Sequence, residues 1–220
     1  MGAVALGQDS GRDPHERWLP AIEAFEKSDR SSPPPKNSVL FVGSSSIRGW
    51  NLEKSFPETD LINRGFGGSE IADCTHFAER LIVPHLPHTV VLYAGDNDMA
   101  RGKGADQVVS DFKTFVAKLR PALSETHVAF LAIKPSFDRW ELWPKMKQAN
   151  EAIATICAED EKLHYLDIAK VTLGENGRPR PEMFAKDGLH LSPKGYAAWA
   201  EVVRPYIKRR IKEAGRTESP

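Results

Sequence analysis

Val39-Leu40-Phe41-Val42-Gly43-Ser44-Ser45-Ser46 is a run of four apolar residues closed by a glycine and three serines. Such a run, ended abruptly by turn-forming residues, reads as a β-strand. The same cadence returns along the chain at 61–63, 90–93, 128–133 and 165–168, which are the other strand candidates. Helical stripes lie between them: one over 71–81, one on Val108, Phe112, Phe115, Val116 and Leu119, one on Met146, Ala149, Ile153 and Ile156. Upstream, Trp18, Ile22 and Phe25 share one face of a helix from about 15 to 28. Ser31-Ser32-Pro33-Pro34-Pro35 ends it, because consecutive prolines lack amide donors and hold the chain extended. Ser192-Pro193 announces the last helix, an N-cap followed by proline at the first helical position. Its buried side carries Tyr196, Trp199, Val203, Tyr206 and Ile207. Strand–helix alternation of this kind predicts an α/β fold, a three-layer α/β/α sandwich around a parallel sheet with right-handed crossovers.

The chain of 220 residues is long enough for one domain with a real core. The expected division is a flexible segment over 1–13, a single domain over 14–213 and a flexible tail over 214–220. Lys plus Arg and Asp plus Glu both number 30, so the chain has no bulk charge with which to seek nucleic acid or an anionic membrane. The basic run Lys208-Arg209-Arg210 falls toward the end of the last helix, where cations suit the helix dipole. Two distant cysteines, Cys74 and Cys157, argue against a disulfide scaffold, and there is no CxxC for zinc or redox chemistry. Residues 1–6 are apolar but lack the basic start of a signal peptide, and no window approaches the ~18 apolar residues of a membrane span. The expected setting is cytoplasmic, with no cofactor, and the oligomeric state is not readable.

In a parallel sheet, ligands bind outside the carboxyl ends of the strands. Small and polar residues gather at three of those ends: Gly43-Ser44-Ser45-Ser46, then Asn63-Arg64-Gly65-Phe66-Gly67-Gly68, then Gly95-Asp96-Asn97-Asp98. Each alone fits an ordinary turn. Together they suggest a site. A serine hydroxyl is a weak nucleophile until a base takes its proton. The best base is His190, in Asp187-Gly188-Leu189-His190, where a three-residue offset can return the Asp187 carboxylate to Nδ1 and leave Nε2 for a serine. His85 and His88 are close in sequence but flank Leu86-Pro87 in a loop without further ligands, so no metal site is expected. Backbone amides of Ser45 and Gly68 with the Asn97 side chain would supply three oxyanion donors, and glycine at 68 allows close approach.

Residues 41–47, 63–69, 95–98 and 187–190 resemble the four sequence blocks of the SGNH (GDSL-type) hydrolases, in order and over most of the chain. The resemblance is nearest to the branch holding the platelet-activating-factor acetylhydrolase alpha subunits and bacterial GDSL esterases. It implies a flavodoxin-like sheet of five parallel strands in the order 2-1-3-4-5, and metal-free ester hydrolysis. It places the nucleophile on Ser45, the oxyanion donors on Ser45, Gly68 and Asn97, and the Asp-x-x-His pair on Asp187 and His190. Two positions depart from the pattern: Ser44 stands where the signature has Asp, and Ser69 where the second block often has Asp. Ser44 and Ser46 are therefore lesser nucleophile candidates. An α/β-hydrolase elbow fits poorly, because Ile47 occupies the place of its final glycine.

The expected substrate is a small ester with a short acyl group, acetyl above all. Trp140, Trp143, Met183 and Phe184 are the candidate pocket walls. The alternatives are a lysophospholipase or thioesterase of the same family, and a binding domain that kept the fold but lost catalysis. A nucleotide-binding protein is a weaker reading, since Gly65-Phe66-Gly67-Gly68 has neither a Walker lysine nor GxGxxG spacing.

Overall fold

All five apolar runs become strands in the computed structural model, which describes residues 13–57 and 59–217. They are β1 (Val39–Gly43), β2 (Leu61–Gly65), β3 (Thr89–Tyr93), β4 (His127–Leu131) and β5 (Leu163–Leu166). Every pairing is parallel, and the order is β2-β1-β3-β4-β5, as the family resemblance implied. The order reverses beside β1, so the crevice where ligands bind opens at the carboxyl ends of β1 and β3.

The helices follow in chain order: α1 (Leu19–Ser31), α2 (Ser45–Arg48), α3 (Leu52–Ser55), α4 (Ile71–His76) and α5 (Ala78–Leu81). Then come α6 (Asp96–Ala100), α7 (Ala105–Leu119), α8 (Trp143–Ala158) and α9 (Pro193–Thr217). Side chains alternate across a strand, so each strand feeds two cores. Leu40, Val42, Val90, Leu92, Val128 and Phe130 pack with Phe112, Phe115, Met146 and Ile153 of α7 and α8. Val39, Phe41, Val91, Tyr93, Ala129 and Leu131 pack on the other face with Trp50 and with Trp199, Val203 and Ile207 of α9. The start of α9 is capped as expected: Ser192 Oγ accepts from the Gly195 amide at 3.1 Å.

Several boundaries differ from the sequence reading. The stripe over 71–81 divides into α4 and α5 at Phe77, whose buried ring meets Phe66 edge-on at 6.0 Å. β4 ends before Ile133, because both backbone groups of Ile133 are taken by the Asn150 side-chain amide at 2.8 and 2.9 Å. The fifth strand starts two residues earlier than expected and stops at Leu166, where the Ile168 amide turns back to the Leu166 carbonyl at 2.9 Å. α9 runs through 214–217, which the sequence reading gave to the tail. The calls on residues 1–6, on 1–12 of the leading segment and on 218–220 lie outside the described residues. Among the described residues no helix is long and apolar enough to cross a membrane.

The short helix α6 at the end of β3 is anchored by charge. Lys103 Nζ bridges Asp98 (2.9 Å), Glu70 (2.8 Å) and Asp111 (2.6 Å). Burial pushes the Asp98 carboxyl up to about 6, against the pull of Lys103. A carboxyl raised in the folded state binds more protons there than in the unfolded chain, so it costs stability as pH rises from about 4 through about 6. Relative to the wild type, Asp98→Asn should gain stability as pH rises from about 4 to 7, whatever the loss of its contact with Lys103 costs at every pH. Thermal melts of both proteins across that range check this; a difference that does not shift in the variant's favour as pH rises would contradict it.

Candidate active site

Gly43 ends β1 with φ +143°, and a Cβ there would lie 1.9 Å from the Tyr93 carbonyl oxygen, so only glycine lets the chain turn off the sheet here. The three serines that follow are then sorted by a helix start. Ser44 is the N-cap of α2; its carbonyl accepts from Ile47 and Arg48 at 3.0 Å each, and its hydroxyl is fully buried without a partner. Ser46 is buried, and its carbonyl accepts from the Tyr196 hydroxyl at 3.0 Å. Ser45, between them, is the only one of the three with partial exposure. Its Oγ lies 3.0 Å from His190 Nε2.

The Asp187–His190 turn is closed by its own carboxylate. Asp187 Oδ1 accepts from the amides of Leu189 and His190 at 3.0 Å each, and Oδ2 lies 2.6 Å from His190 Nδ1. The hydrogen bond from His190, reinforced by those two amides, lowers the Asp187 carboxyl to about 2. An anionic partner at Nδ1 fixes the tautomer that leaves Nε2 as an acceptor toward Ser45.

Across the crevice, Gly68 has φ +77°, which favours glycine, and its side-chain direction is occupied by the ring edge of Trp18 at 3.3 Å. Asn97 lies in α6, 8% exposed, with Nδ2 donating to the Ser69 carbonyl at 3.0 Å. That nitrogen has a second hydrogen to offer. Ser45 is the first residue of α2, so its amide is a first-turn donor that no intrahelical carbonyl reaches. Arg101 ties the two loops together: its amide bonds the Asn97 carbonyl at 3.0 Å and its guanidinium the Gly68 carbonyl at 2.9 Å.

The proposed pocket residues are placed differently from one another. Phe184 joins Phe137, Asp138 and Asp187 in lining a depression of about 560 Å³. Met183 is buried in the core, Trp143 packs between the two cores, and Trp140 carries the Arg178 guanidinium over its ring at 4.6 Å. A groove of about 470 Å³ starts beside the histidine, lined by Leu191, Gly49, Trp50 and Tyr196 among others. Another cavity of about 540 Å³, beside His127 and Arg210, lies at the amino ends of the strands, the wrong end for this chemistry. Among the described residues no group of three or more His, Cys, Asp or Glu side chains is placed to hold a metal. His85 instead sits in the fold beside Arg64 and Asp29.

Sequence reasoning missed Trp18, Arg101 and Lys134 as neighbours of the site, and it took Asp96 with the turn residues after β3 without its partner. Trp18 fell on a regular helical stripe that read as core. Arg101 and Lys134 carry no motif, and their side-chain partners are 31 or more residues away.

The model of the GDSL-like lipase/acylhydrolase family matches residues 42–198. Among solved structures, a Streptococcus pneumonia protein provisionally named as a platelet activating factor is 20% identical, with a TM-score of 0.76 over 87% of this chain and 95% of that one. A GDSL-like lipase from Bacteroides thetaiotaomicron is 19% identical, with a TM-score of 0.69 over 89% and 98%. A catalytic mutant of an acetylxylan esterase from Geobacillus stearothermophilus is 16% identical, with a TM-score of 0.63 over 79% and 95%. No curated protein matches the chain.

Proposed function

Since the chain belongs to the GDSL-like lipase/acylhydrolase family and is therefore an ester hydrolase, we propose that it is a serine esterase acting on short-chain, chiefly acetyl, esters. The observation that carries this is the unbroken chain Ser45 Oγ–His190 Nε2 at 3.0 Å and His190 Nδ1–Asp187 Oδ2 at 2.6 Å. Both distances are within reach of proton transfer without rearrangement.

In the proposed reaction His190 takes the Ser45 proton as Oγ attacks the ester carbonyl carbon. The carbonyl π pair moves to oxygen, which the amides of Ser45 and Gly68 and the Asn97 side chain receive. The intermediate collapses, the C–O bond to the alcohol breaks, and the imidazolium returns its proton to the leaving oxygen. Water, deprotonated by the same histidine, then attacks the acyl-serine and releases the acid. Asp187 stays ionised throughout and stabilises the imidazolium.

The short-acyl reading draws on the Trp18 ring edge crowding Gly68 and on the acetyl specificity named for the Geobacillus esterase. A ladder of p-nitrophenyl esters from acetyl to palmitoyl tests it: kcat/KM should be highest at acetyl, and a preference for long chains would overturn it. Asn97→Ala should cost roughly 10²–10³-fold in kcat, the usual loss for one oxyanion donor. An unchanged kcat in that variant would remove Asn97 from the oxyanion hole.

A further inference from the structure

Lys134, just after β4, is 1% exposed in its side chain. Its Nζ lies 3.3 Å from Asp96 Oδ2 and 5.7 Å from the centre of the Tyr93 ring. Arg139 Nη1 lies 3.3 Å from the same carboxylate oxygen as an ion pair without a hydrogen bond, so Lys134 alone donates to Asp96, and Asp96 Oδ1 has no hydrogen-bond partner. Burial lowers the Lys134 ammonium from its usual range, and Asp96 opposes that shift. Nothing in the proposed reaction uses this lysine. As a stabilising device it is poor, because burying an ammonium costs several kcal/mol and apolar residues of similar volume often serve a core as well.

Its placement gives it another use. Asp96 is the first residue of α6 and directly precedes Asn97. The segment between the two cations touches the opposite side of the site: the amides of Phe137 and Asp138 reach the Gly188 carbonyl at 2.9 and 3.3 Å. Gly188 stands between Asp187 and His190. One six-residue segment is thus fastened at both ends to the residue before Asn97, and in its middle to the turn that carries the histidine.

We propose that Lys134 and Arg139, acting through Asp96, are positioning residues that hold Asn97 in register with the Asp187–His190 turn. The proposal rests on the esterase reading above. Neither cation need touch the substrate; displacement of a reacting group by ~1 Å can cost 10²-fold.

The test is the double variant Asp96→Asn/Lys134→Met, which removes the most buried pair together and leaves Arg139 with Asp138 at 3.9 Å. Hydrolysis of p-nitrophenyl acetate and thermal melting are measured in the native and Asn97→Ala backgrounds. The expected result is a folded protein with kcat down roughly 10–100-fold and KM within about threefold. In the Asn97→Ala background the further loss should be below about threefold, since the group being positioned is gone. Lys134→Arg, which keeps the charge beside Asp96, should stay within about threefold of wild-type kcat. A double variant within twofold of wild type would overturn the proposal, as would a loss equally large without Asn97. If the double variant does not fold, Arg139→Gln, at the less buried end of the segment, faces the same two outcomes. A wild type that hydrolyses no ester takes down the esterase reading and this proposal together, whereas an active wild type matched by the neutral pair removes this proposal alone.

Discussion

Ser45→Ala should abolish ester hydrolysis, lowering kcat on p-nitrophenyl acetate by on the order of 10⁴–10⁶-fold with folding intact. The size follows from the mechanism, because without Oγ there is no acyl-enzyme, and the oxyanion donors can only assist attack by water. The serine triplet supplies internal controls. Ser44 Oγ is buried without a partner and Ser46 is turned into the fold, so alanine at either should leave kcat within about tenfold. A Ser45→Ala protein that kept wild-type turnover, with the loss falling at 44 or 46 instead, would reassign the nucleophile.

Asp187→Asn should lower kcat by roughly 10³–10⁴-fold while leaving KM little changed. An amide can still accept from the Leu189 and His190 amides, so the turn should survive. What it loses is the charge at Nδ1: an amide nitrogen there would donate, favour the wrong tautomer and place a hydrogen on Nε2, facing Ser45. The Asp187 side chain is half exposed, so water screens its interaction with an imidazolium. The tautomer argument, which does not depend on dielectric, therefore supplies most of the expected loss. Because the hydrogen bonds from His190 and the turn amides lower the carboxyl to about 2, it is ionised across the neutral range, and an acid limb near neutral pH belongs to another group. Steady-state kinetics and pH profiles of both proteins check this; a kcat within tenfold of wild type would reduce Asp187 to a turn residue.

Both predictions concern residues that were visible in the sequence, and the reason is local. Ser45 follows a strand that four apolar residues and a glycine define, and Asp187 and His190 satisfy each other within one turn. The same locality made β1 and β3 plain. Where the partner is distant, the reading stopped short. β2 was cut at Asn63 because Arg64-Gly65 reads as the start of the glycine-rich turn; in the fold Arg64 is 6% exposed and held by Asp29, 35 residues earlier, at 2.6 and 2.8 Å. Ile133 looked like strand, but Asn150 from α8 takes its backbone groups. Trp18 kept a correct helical period, yet a period does not say that its ring edge comes to Gly68. Lys134 and Asp96 are of the same kind, charges whose meaning lies in a pairing across 38 residues.

Activation of Ser45 by His190 and Asp187 can be read chemically at the serine itself. Reaction with a fluorophosphonate, followed by mass spectrometry of the digested protein, addresses it directly, because the phosphorus is captured only by an activated hydroxyl. One adduct is expected, on Ser45, formed by the wild type and lost in His190→Ala. No adduct, or an adduct on Ser44 or Ser46, would contradict it.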